Sequence, residues 1–266
     1  MEKSSPLFFH RYELKYHIPL ELVESVIAFI SPYCEQDPFS KEAPDGHYTI
    51  NNLYLDTYDY ILLRRRLNKE DRRFNLRVRA YGDGTFAPYF LEVKYKQSGK
   101  VQKYRHPLKL DQWKKFKTKA SQFDYPVFDP EENISSPNYN KFESIICSIN
   151  AYPHIQTQYR RLAFFSKYDD YARITFDRDL VFRENNDYDF EMQDFKSYDH
   201  NMNFDPYKNV IMELKCTTQV PSWFIDLIKV FEFEKSSFSK YAGAMLDMLP
   251  NEQADHDKEV LQSIYL

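Results

Sequence analysis

Apolar and polar residues alternate along several segments of this chain, and the alternation predicts β-strands with two unlike faces. The predicted strands lie at about residues 8–17, 47–56, 73–82, 87–97, 101–108, 155–166, 171–177 and 208–217. Other segments place apolar residues at helical spacing, which predicts helices at about 19–31, 58–67, 111–120, 138–149, 222–234 and 239–249. The pattern therefore predicts an α+β chain, built as a largely antiparallel barrel with helices against its outside.

Local signals set the expected boundaries of these elements. Pro19 stands near the start of the first helix and Pro32 at its end. Gly82-Asp83-Gly84 is expected to turn the chain between two strands of a hairpin. The predicted N-caps of later helices are Asp111, Asn138 and Ser222. Because no internal repeat or proline-rich linker divides the sequence, we expect a single domain over residues 1–266, with its core at about 8–249 and a C-terminal tail at 250–266.

Three of the predicted strands carry a Glu-x-Lys motif with an apolar middle residue. The motifs are Glu13-Leu14-Lys15, Glu92-Val93-Lys94 and Glu213-Leu214-Lys215. Residues two apart in a strand share a face, so each Glu lies beside its Lys and the apolar residue faces the other way. Strand arginines add to the charged faces at Arg77, Arg79, Arg161 and Arg173.

Two interpretations of these charged faces differ in whether the faces point to bulk solvent or into the barrel. They can be the solvated surface of an ordinary antiparallel sheet, where cross-strand Glu and Lys pairs add a few tenths of a kcal/mol (~0.2–1). Alternatively they point inward and line a barrel suited to a metal-chelated polyanion. The recurrence of one pair in distant strands, beside the arginine strand, favours a common inward site.

Charge is distributed unevenly along a chain whose formal net charge is −4. Lys and Arg are concentrated between Arg64 and Lys119, whereas acids dominate the stretch from Asp169 to Asp205. A focused basic region in an acidic protein indicates a localised anion site rather than a nucleic-acid surface. We interpret the lysines at 114–119 as a solvated helix face, and we predict that the acidic stretch forms a long loop.

Several other chemistries are disfavoured. The chain has only five Gly and no G-x-x-x-x-G-K motif, which argues against a phosphate-binding loop. Its seven His lack zinc-ligand spacing, and no nucleophile elbow indicates Ser-His-Asp catalysis. Asp56 is predicted to be a turn or cap residue, and Cys216 a packing residue.

The cellular compartment is predicted from cysteine usage and hydropathy. The three Cys are widely spaced, odd in number and without a C-x-x-C motif, which favours free thiols in a reducing interior. No apolar run approaches the roughly 18 residues of a membrane span, and residues 1–6 lack the apolar core of a signal peptide. We therefore expect a soluble cytoplasmic protein.

Eight short motifs, in register along residues 8–249, resemble the VTC domain. This is the polyphosphate polymerase domain of the vacuolar transporter chaperone family, a branch of the triphosphate tunnel metalloenzymes. The motifs are Arg11-Tyr12-Glu13-Leu14-Lys15-Tyr16, Leu53-Tyr54-Leu55-Asp56-Thr57, Leu76-Arg77-Val78-Arg79-Ala80-Tyr81-Gly82, Glu92-Val93-Lys94, Tyr159-Arg160-Arg161-Leu162-Ala163-Phe164, Arg173-Ile174-Thr175-Phe176-Asp177, Glu213-Leu214-Lys215 and Phe238-Ser239-Lys240-Tyr241.

The resemblance implies a closed tunnel of eight antiparallel strands, surrounded by helices, that holds a triphosphate or a growing polyphosphate chain. The phosphate-binding and catalytic cations it implies are Lys15, Arg77, Arg79, Lys94, Arg161, Arg173 and Lys240. Glu213 corresponds to the carboxylate that holds a divalent metal, Mn²⁺ or Mg²⁺. Tyr159 and Ser239 are expected to touch phosphate, and by strand parity Lys215 and Glu92 face the same tunnel. Arg11 stands where the cyclase and thiamine-triphosphatase branch has the first Glu of Glu-x-Glu-x-Lys, which disfavours those two activities.

The implied activity is a metal-dependent transfer of the terminal phosphate of ATP to a polyphosphate chain. If water attacks instead, the same tunnel is a tri- or polyphosphatase, and without turnover it is a polyphosphate-binding module. A structural interaction domain remains a further alternative, although it leaves the eight motifs unexplained. The expected partners are ATP, triphosphate or polyphosphate and a membrane protein that receives the product, with no nucleic acid. The expected location includes the inner face of a membrane where such a partner recruits the protein.

Overall fold

Strands and helices are interspersed along the chain in the computed structural model, which describes residues 12–84, 87–98, 100–128, 136–169, 171–198, 210–217, 219–236 and 238–248. The strands are β1 (Tyr12–Ile18), β2 (Cys34–Gln36), β3 (Tyr48–Asp56), β4 (Arg73–Tyr81), β5 (Tyr89–Gln97), β6 (Lys100–Leu108), β7 (Tyr152–Ser166), β8 (Arg173–Glu184), β9 (Lys196–Ser197) and β10 (Val210–Cys216). The helices are α1 (Val23–Ile30, after a 3₁₀ turn at Leu20–Leu22), α2 (Pro38–Glu42), α3 (Ile61–Leu67), α4 (Leu110–Ser121), α5 (Pro137–Ile149), α6 (Ser222–Val230) and α7 (Lys240–Met248).

Eight strands form one antiparallel sheet in the order β1-β10-β8-β7-β3-β4-β5-β6, and the short β2 and β9 pair with β7 and β8. The sheet is strongly curled. Glu13 of β1 and Lys94 of β5 lie six strands apart in this order, yet their side chains form an ion pair of 2.5 Å. In a flat sheet they would be separated by roughly 30 Å, at ~4.8 Å per strand. The curl therefore creates a concave face that the two strands share.

The expectation of a closed barrel is wrong, because β1 and β6 end the sheet and do not pair with each other in the described part of the chain. The free edge of β1 is occupied instead by the segment that follows α6. The backbone N–H of Ser236 donates to the carbonyl of Lys15 at 2.8 Å, and the two residues form an isolated antiparallel bridge. This segment thus pairs with the edge of β1 at one position, and the sheet is a curled half-barrel.

Helices cover the convex face of the sheet with apolar side chains. The middle residues of the Glu-x-Lys motifs lie there as predicted: Val93 packs with α4 and α5, while Leu14 and Leu214 pack with α1 and α6. Cys216 is fully buried in the same α1 and α6 cluster, which confirms it as a packing residue. The thiols of Cys34, Cys147 and Cys216 are all free.

Helix α7 packs against residues of the concave face. Tyr241 and Met245 of α7 share one apolar cluster with concave-face residues from three strands. These are Ile50, Tyr54, Tyr159 and Ile211. The helix therefore covers part of the concavity, and its first residue, Lys240, stands at the edge of the open part.

Asp56 confirms its predicted role as a cap. Its carboxylate, fully buried at the end of β3, accepts from the backbone N–H groups of Leu62 and Leu63 at 2.9 Å each. Tyr241 of α7 donates its hydroxyl to the same carboxylate at 2.5 Å. This acid stabilises the start of α3 and ties α3 to α7.

The three N-caps predicted for later helices are wrong. Helix α4 begins one residue before Asp111, α6 begins at Ser222 itself after Pro221, and α5 is capped by Ser136. The hydroxyl of Ser136 accepts from the N–H of Tyr139 at 3.1 Å, and Pro137 occupies the first helical position. The Asn138 amide instead donates to the carbonyl of Arg105 at 2.9 Å.

The remaining differences from the predicted elements are short. The first helix lies between Pro19 and Pro32 as predicted, and residues 82–88 connect β4 to β5. Of the acidic stretch, 173–184 is strand, 185–195 is loop as predicted, and 199–209 lies outside the described residues. Sequence periodicity missed β2, α2 and β9, because segments of three, five and two residues are too short to show a period. Among the described residues, no helix combines the length and apolar character that a bilayer-spanning helix needs.

Candidate functional site

The concave face carries the charged residues of all three Glu-x-Lys motifs. In the strand register Glu13 lies opposite Lys215 and Lys15 lies opposite Glu213. Since Glu13 also reaches Lys94 across the curl, the first, second and third motifs meet in one space. The predicted inward orientation of the motifs is therefore confirmed, and we call this space the tunnel.

One wall of the tunnel is built by β1 and β10, whose acids hold lysines. Lys215 pairs with Glu213 at 2.8 Å, and Lys15 donates to the carbonyl of Phe238 at 2.9 Å. Burial opposes ionisation of Glu213, but Lys215 and Lys15 outweigh it and hold the pKa of the carboxyl well below its usual range. Burial lowers the pKa of Lys15 to about 8, assisted by the positive charge of Lys94.

Asp177 of β8 organises a second group of cations. Arg161 of β7 binds it in a bidentate manner, with Nε at 2.6 Å and Nη2 at 2.8 Å, and Lys240 of α7 reaches the same carboxylate at 2.7 Å. The carboxylate is 1% exposed. Burial opposes its ionisation, but the two cations outweigh that effect and hold the pKa of Asp177 low. A buried acid that stays charged therefore fixes the positions of two predicted phosphate-binding side chains.

A third group surrounds Glu92, whose side chain is fully buried. Arg77 approaches its Oε2 at 2.6 Å, while Lys103 and Arg105 of β6 approach Oε1 at 2.5 and 3.2 Å. Burial opposes ionisation, but these cations hold the pKa of Glu92 well below its usual range. Glu92 is thus the counter-ion of three cations that share the concave face.

Arg79 and Tyr159 lie between the second and third groups. Arg79 donates through Nε to the side-chain oxygen of Asn52 at 2.9 Å and through Nη2 to the hydroxyl of Tyr159 at 3.4 Å. Lys240 lies 4.2 Å from the centre of the Tyr159 ring. Burial opposes ionisation of the phenol, but Arg79, Arg161 and Lys240 outweigh it and lower the pKa of Tyr159 to about 8.

Two of the predicted site residues are less integrated into these groups. Arg173 pairs in register with Lys215 on the same face, and its guanidinium lies over the ring of Phe165, 4.1 Å from its centre. The hydroxyl of Ser239 accepts from the N–H of Ala242 at 3.3 Å, as a cap at the start of α7. Ser239 nevertheless lies next to Lys240, at the edge of the tunnel.

Sequence reasoning missed Asp177, Lys103 and Arg105 as members of the site. Strand parity places each of the three on the same face as residues that were predicted. Asp177 lies four residues after Arg173 on the same face of β8, and Lys103 and Arg105 lie opposite Lys94 and Glu92 in the β5–β6 hairpin. Basic side chains in the completed tunnel outnumber the acids Glu13, Glu92, Asp177 and Glu213; the cations are Lys15, Arg77, Arg79, Lys94, Lys103, Arg105, Arg161, Arg173, Lys215 and Lys240.

The tunnel offers few ligands for a metal ion. Among the described residues, no group of three or more His, Cys, Asp and Glu side chains is placed to hold one. Glu13 and Glu213 nevertheless lie on the same wall and influence each other's charge. One or two carboxylates suit Mg²⁺ or a similar hard ion when phosphate oxygens and waters complete the shell. The donor set therefore fits a metal that is bound together with phosphates.

The basic helix α4 lies outside this site. Lys114 is exposed, and Lys117 pairs with Asp189 at 2.5 Å on the protein surface. The solvated helix face predicted for residues 114–119 is confirmed.

Comparison with known proteins identifies similar sequences over most of the chain. A family model of the VTC domain matches residues 10–249. Vacuolar transporter chaperone complex subunit 4 of Trypanosoma brucei brucei is 27% identical over 272 residues, covering 88% of this chain and 34% of that protein. The protein of the same name from Trypanosoma cruzi is 25% identical over 283 residues, covering 88% and 33%. The chain thus spans about a third of the length of these curated relatives.

Solved structures with similar shape are more distant. A proposed adenylyl cyclase from Hippeastrum, described as having a dominant triphosphatase activity, is 14% identical with a TM-score of 0.47, covering 90% of this chain and 96% of that chain. A proposed adenylate cyclase from Bacillus halodurans is 11% identical with a TM-score of 0.46, covering 86% and 95%. At these scores the similarity bears on neither the fold nor the activity of this chain.

Proposed function

The chain belongs to the VTC domain family, and from this premise we propose that it is a metal-dependent polyphosphate polymerase. In this proposal the terminal phosphate of ATP is transferred to a growing polyphosphate chain inside the tunnel. The observation that supports it is the excess of basic side chains on the concave face, contributed by β1, β4, β5, β6, β7, β8, β10 and α7. A polyanion that runs through the tunnel would contact cations from every side.

The cations suit phosphate in complementary ways. Guanidinium groups can bind two phosphate oxygens at once, which fits Arg77, Arg79 and Arg161 for gripping successive phosphates. Lysines such as Lys15 and Lys94 act as point charges with rotatable donors. Because Asp177 and Glu92 already hold several of these side chains in place, little conformational entropy would be lost when phosphate binds.

The proposed reaction needs no nucleophilic side chain. An oxygen of the terminal phosphate of the chain attacks the γ-phosphorus of ATP, the bond from that phosphorus to the β,γ-bridging oxygen breaks, and ADP leaves with the bonding electrons. Such transfers pass through a loose transition state, so that catalysis consists mostly of positioning and charge neutralisation. The cations of the tunnel would provide both.

Glu213, with Glu13 beside it, would hold the divalent ion, which supplies positive charge to the phosphates when bound. In the structure these acids form ion pairs with Lys215 and Lys94. We expect the two lysines to turn toward phosphate when it enters, which frees the carboxylates for the ion. The identity of the ion, Mn²⁺ or Mg²⁺, belongs to the proposal.

Two other functions use the same tunnel. If water replaces the terminal phosphate of the chain as the attacking group, the protein is a tri- or polyphosphatase. If no reaction occurs, it is a polyphosphate-binding module. The acid pair Glu13 and Glu213 favours an enzyme, because each acid holds a single lysine and the two lie on one wall, where they can bind a metal ion that pure anion binding does not require.

The deciding experiment incubates the purified protein with ATP and Mn²⁺ and resolves the products. Long anionic polymer together with ADP identifies a polymerase, and inorganic phosphate identifies a hydrolase. Tight binding of polyphosphate without turnover identifies a binding module. Absence of both turnover and binding would contradict the proposal in all its forms.

The wider context of the activity is also part of the proposal. The curated relatives are named as subunits of a vacuolar transporter chaperone complex. We propose that this chain likewise works with a membrane protein that receives the product, at the cytoplasmic face of that membrane. Co-purification of the tagged chain with a membrane protein from its own cells would test this, and recovery of the chain alone in the soluble fraction would contradict it.

A further inference from the structure

Basic residues continue beyond the tunnel along β4 and β5. Lys96 lies two residues after Lys94 on the same face of β5, about 7 Å further along the strand. Arg73, the first residue of β4, is its partner in the strand register. The concave face therefore extends past the ion pair of Lys94 and Glu13 with two further cations.

Two neighbouring segments add positive charge at the same place. Arg66 lies in the last turn of α3, the helix that leads toward β4, and Lys235 precedes Ser236, which bridges to Lys15 on the edge of β1. Burial and the charges of Arg73, Arg66, Lys94 and Lys235 lower the pKa of Lys96. The four segments thus bring their cations close enough to repel one another.

Three cations of this cluster, Arg73, Lys96 and Lys235, differ from those of the tunnel in how they relate to carboxylates. Inside the tunnel, carboxylates such as Glu92 and Asp177 each hold two or more cations. Among the described residues, by contrast, no carboxylate forms an ion pair with Arg73, Lys96 or Lys235.

The charge of Asp71 acts on Arg73, but the polar contacts of Asp71 and the ion pair of its neighbour Glu70 are made with other residues. Asp71 accepts from the N–H and hydroxyl of Ser98 at 2.6 and 3.2 Å, and Glu70 lies 3.7 Å from Arg65. A group of mutually repelling, half-buried and exposed cations is stabilised most by a polyanion that spans them.

We propose that Arg66, Arg73, Lys96 and Lys235 form a second phosphate-binding site, the basic mouth, which holds the part of a long polyphosphate chain that extends beyond the tunnel. The inference rests on the proposed function, because its ligand is the chain that the tunnel binds. The basic mouth would make affinity depend on the length of the ligand. A short ligand fills only the tunnel, whereas a long one also contacts the mouth. The continuous strand from Lys94 to Lys96 provides the connection.

The test compares two ligands and three proteins. Tripolyphosphate and long-chain polyphosphate are titrated into the wild type, the Arg73→Ala/Lys96→Ala variant and the control Lys114→Ala/Lys229→Ala. The control removes the same charge from exposed positions on α4 and α6. Thermal melting of each protein establishes that it is folded, and Lys235→Ala, at an exposed position of the mouth, replaces the double variant if that variant does not fold.

We expect the mouth variant to bind long-chain polyphosphate roughly three- to tenfold more weakly, as two partly exposed ion pairs contribute. Its affinity for tripolyphosphate should change by less than about twofold. The affinity of the control variant for either ligand should also change by less than about twofold. The salt dependence of long-chain binding should also become shallower by about one to two units in log Kd against log salt.

When the wild type binds both ligands, two results would overturn the inference alone. An equal loss of affinity for both ligands would show that these residues belong to the tunnel. An unchanged affinity for the long chain would show that they do not bind it. If the wild type binds neither ligand, the proposed function fails and the inference with it. If the wild type binds both and the variant matches it, only the inference fails.

Discussion

Lys94 and Glu13 form a 2.5 Å ion pair across the tunnel, between strands that lie six positions apart in the sheet. The pair joins the second Glu-x-Lys motif to the first, and the first is joined in turn to the third by the pairing of β1 with β10. No hydrogen-bonded ladder connects β1 to β6 in the described part of the chain, so side-chain contacts such as this one hold the two limbs of the sheet together. The tunnel is therefore held partly by the charges that are proposed to bind substrate.

Phosphate ligands should stabilise the protein against unfolding, because the cations in the tunnel exceed the acids that neutralise them. Tripolyphosphate at about a hundred times its Kd should add roughly 2.7 kcal/mol to the free energy of unfolding. Melting curves with and without millimolar ligand and Mn²⁺ measure this. An unmoved melting temperature would count against an anion-binding tunnel.

Glu213→Gln should separate the role of the metal from that of the cations. The substitution keeps the shape of the side chain but removes the charge that would hold a hard divalent ion, so turnover should fall by about 10²-fold or more. Polyphosphate should still bind, because Arg77, Lys94 and Arg161 remain. Full metal-dependent activity in this variant would show that another acid holds the metal, with Glu13 as the first alternative.

Arg161→Ala and Lys94→Ala should instead weaken the binding of polyphosphate itself. Each loses a charge-assisted contact worth roughly 1.5–3 kcal/mol, which corresponds to about tenfold or more in Kd. Lys114→Ala, at an exposed position of α4, is the control and should leave Kd unchanged. The same affinity in all three variants would contradict the assignment of these cations.

Asp177→Asn should destabilise the phosphate-free protein. Removing the buried charge that pairs with Arg161 and Lys240 leaves two buried cations uncompensated, at a cost of roughly 3 kcal/mol in the free energy of unfolding. Polyphosphate should restore part of this loss, so its shift of the melting temperature should be larger than in the wild type. The matched control Asp189→Asn breaks an exposed pair with Lys117 and should cost less than about 1 kcal/mol. Equal losses in the two variants would mean that Asp177 has no special role.

Binding of tripolyphosphate should weaken as pH rises through about 8. Across this range Lys15 loses its positive charge and Tyr159 becomes an anion, since the pKa of each is lowered to about 8. Titrations at pH 7 and pH 9 measure the change in Kd. The variant Lys15→Arg/Tyr159→Phe, which cannot titrate there, should show a flatter profile, and ionisation of the ligand affects both proteins equally.

The same two groups should act on stability in the opposite direction. Between about pH 8 and pH 10 the unfolded chain keeps protons on Lys15 and Tyr159 that the folded protein has lost. Since the unfolded state then binds more protons, the contribution of these groups to the free energy of unfolding rises with pH. If the double variant shows the same pH profiles of binding and of stability as the wild type, neither residue titrates as stated.

Local sequence determined which residues face the tunnel. The side-chain period of a strand is two, so Glu13 and Lys15, or Arg77 and Arg79, must share a face wherever the strand goes. The apolar partners Leu14, Val93 and Leu214 then mark the other face as the one that packs against helices. This is why the eight long strands and the common face of their charged residues were predictable without the structure, whereas the inward orientation of that face was favoured only by the recurrence of the Glu-x-Lys pair in distant strands.

The ion-pair partners were decided only by the tertiary structure. Glu13 meets Lys94 from 81 residues away, and Asp177 meets Lys240 from 63 residues away, because the curl of the sheet and the docking of α7 bring them together. The open seam also depends on a distant segment, since Ser236 and not β6 pairs with β1. Strand parity is a property of neighbouring residues, whereas curvature, strand order and helix docking are set by packing over the whole chain.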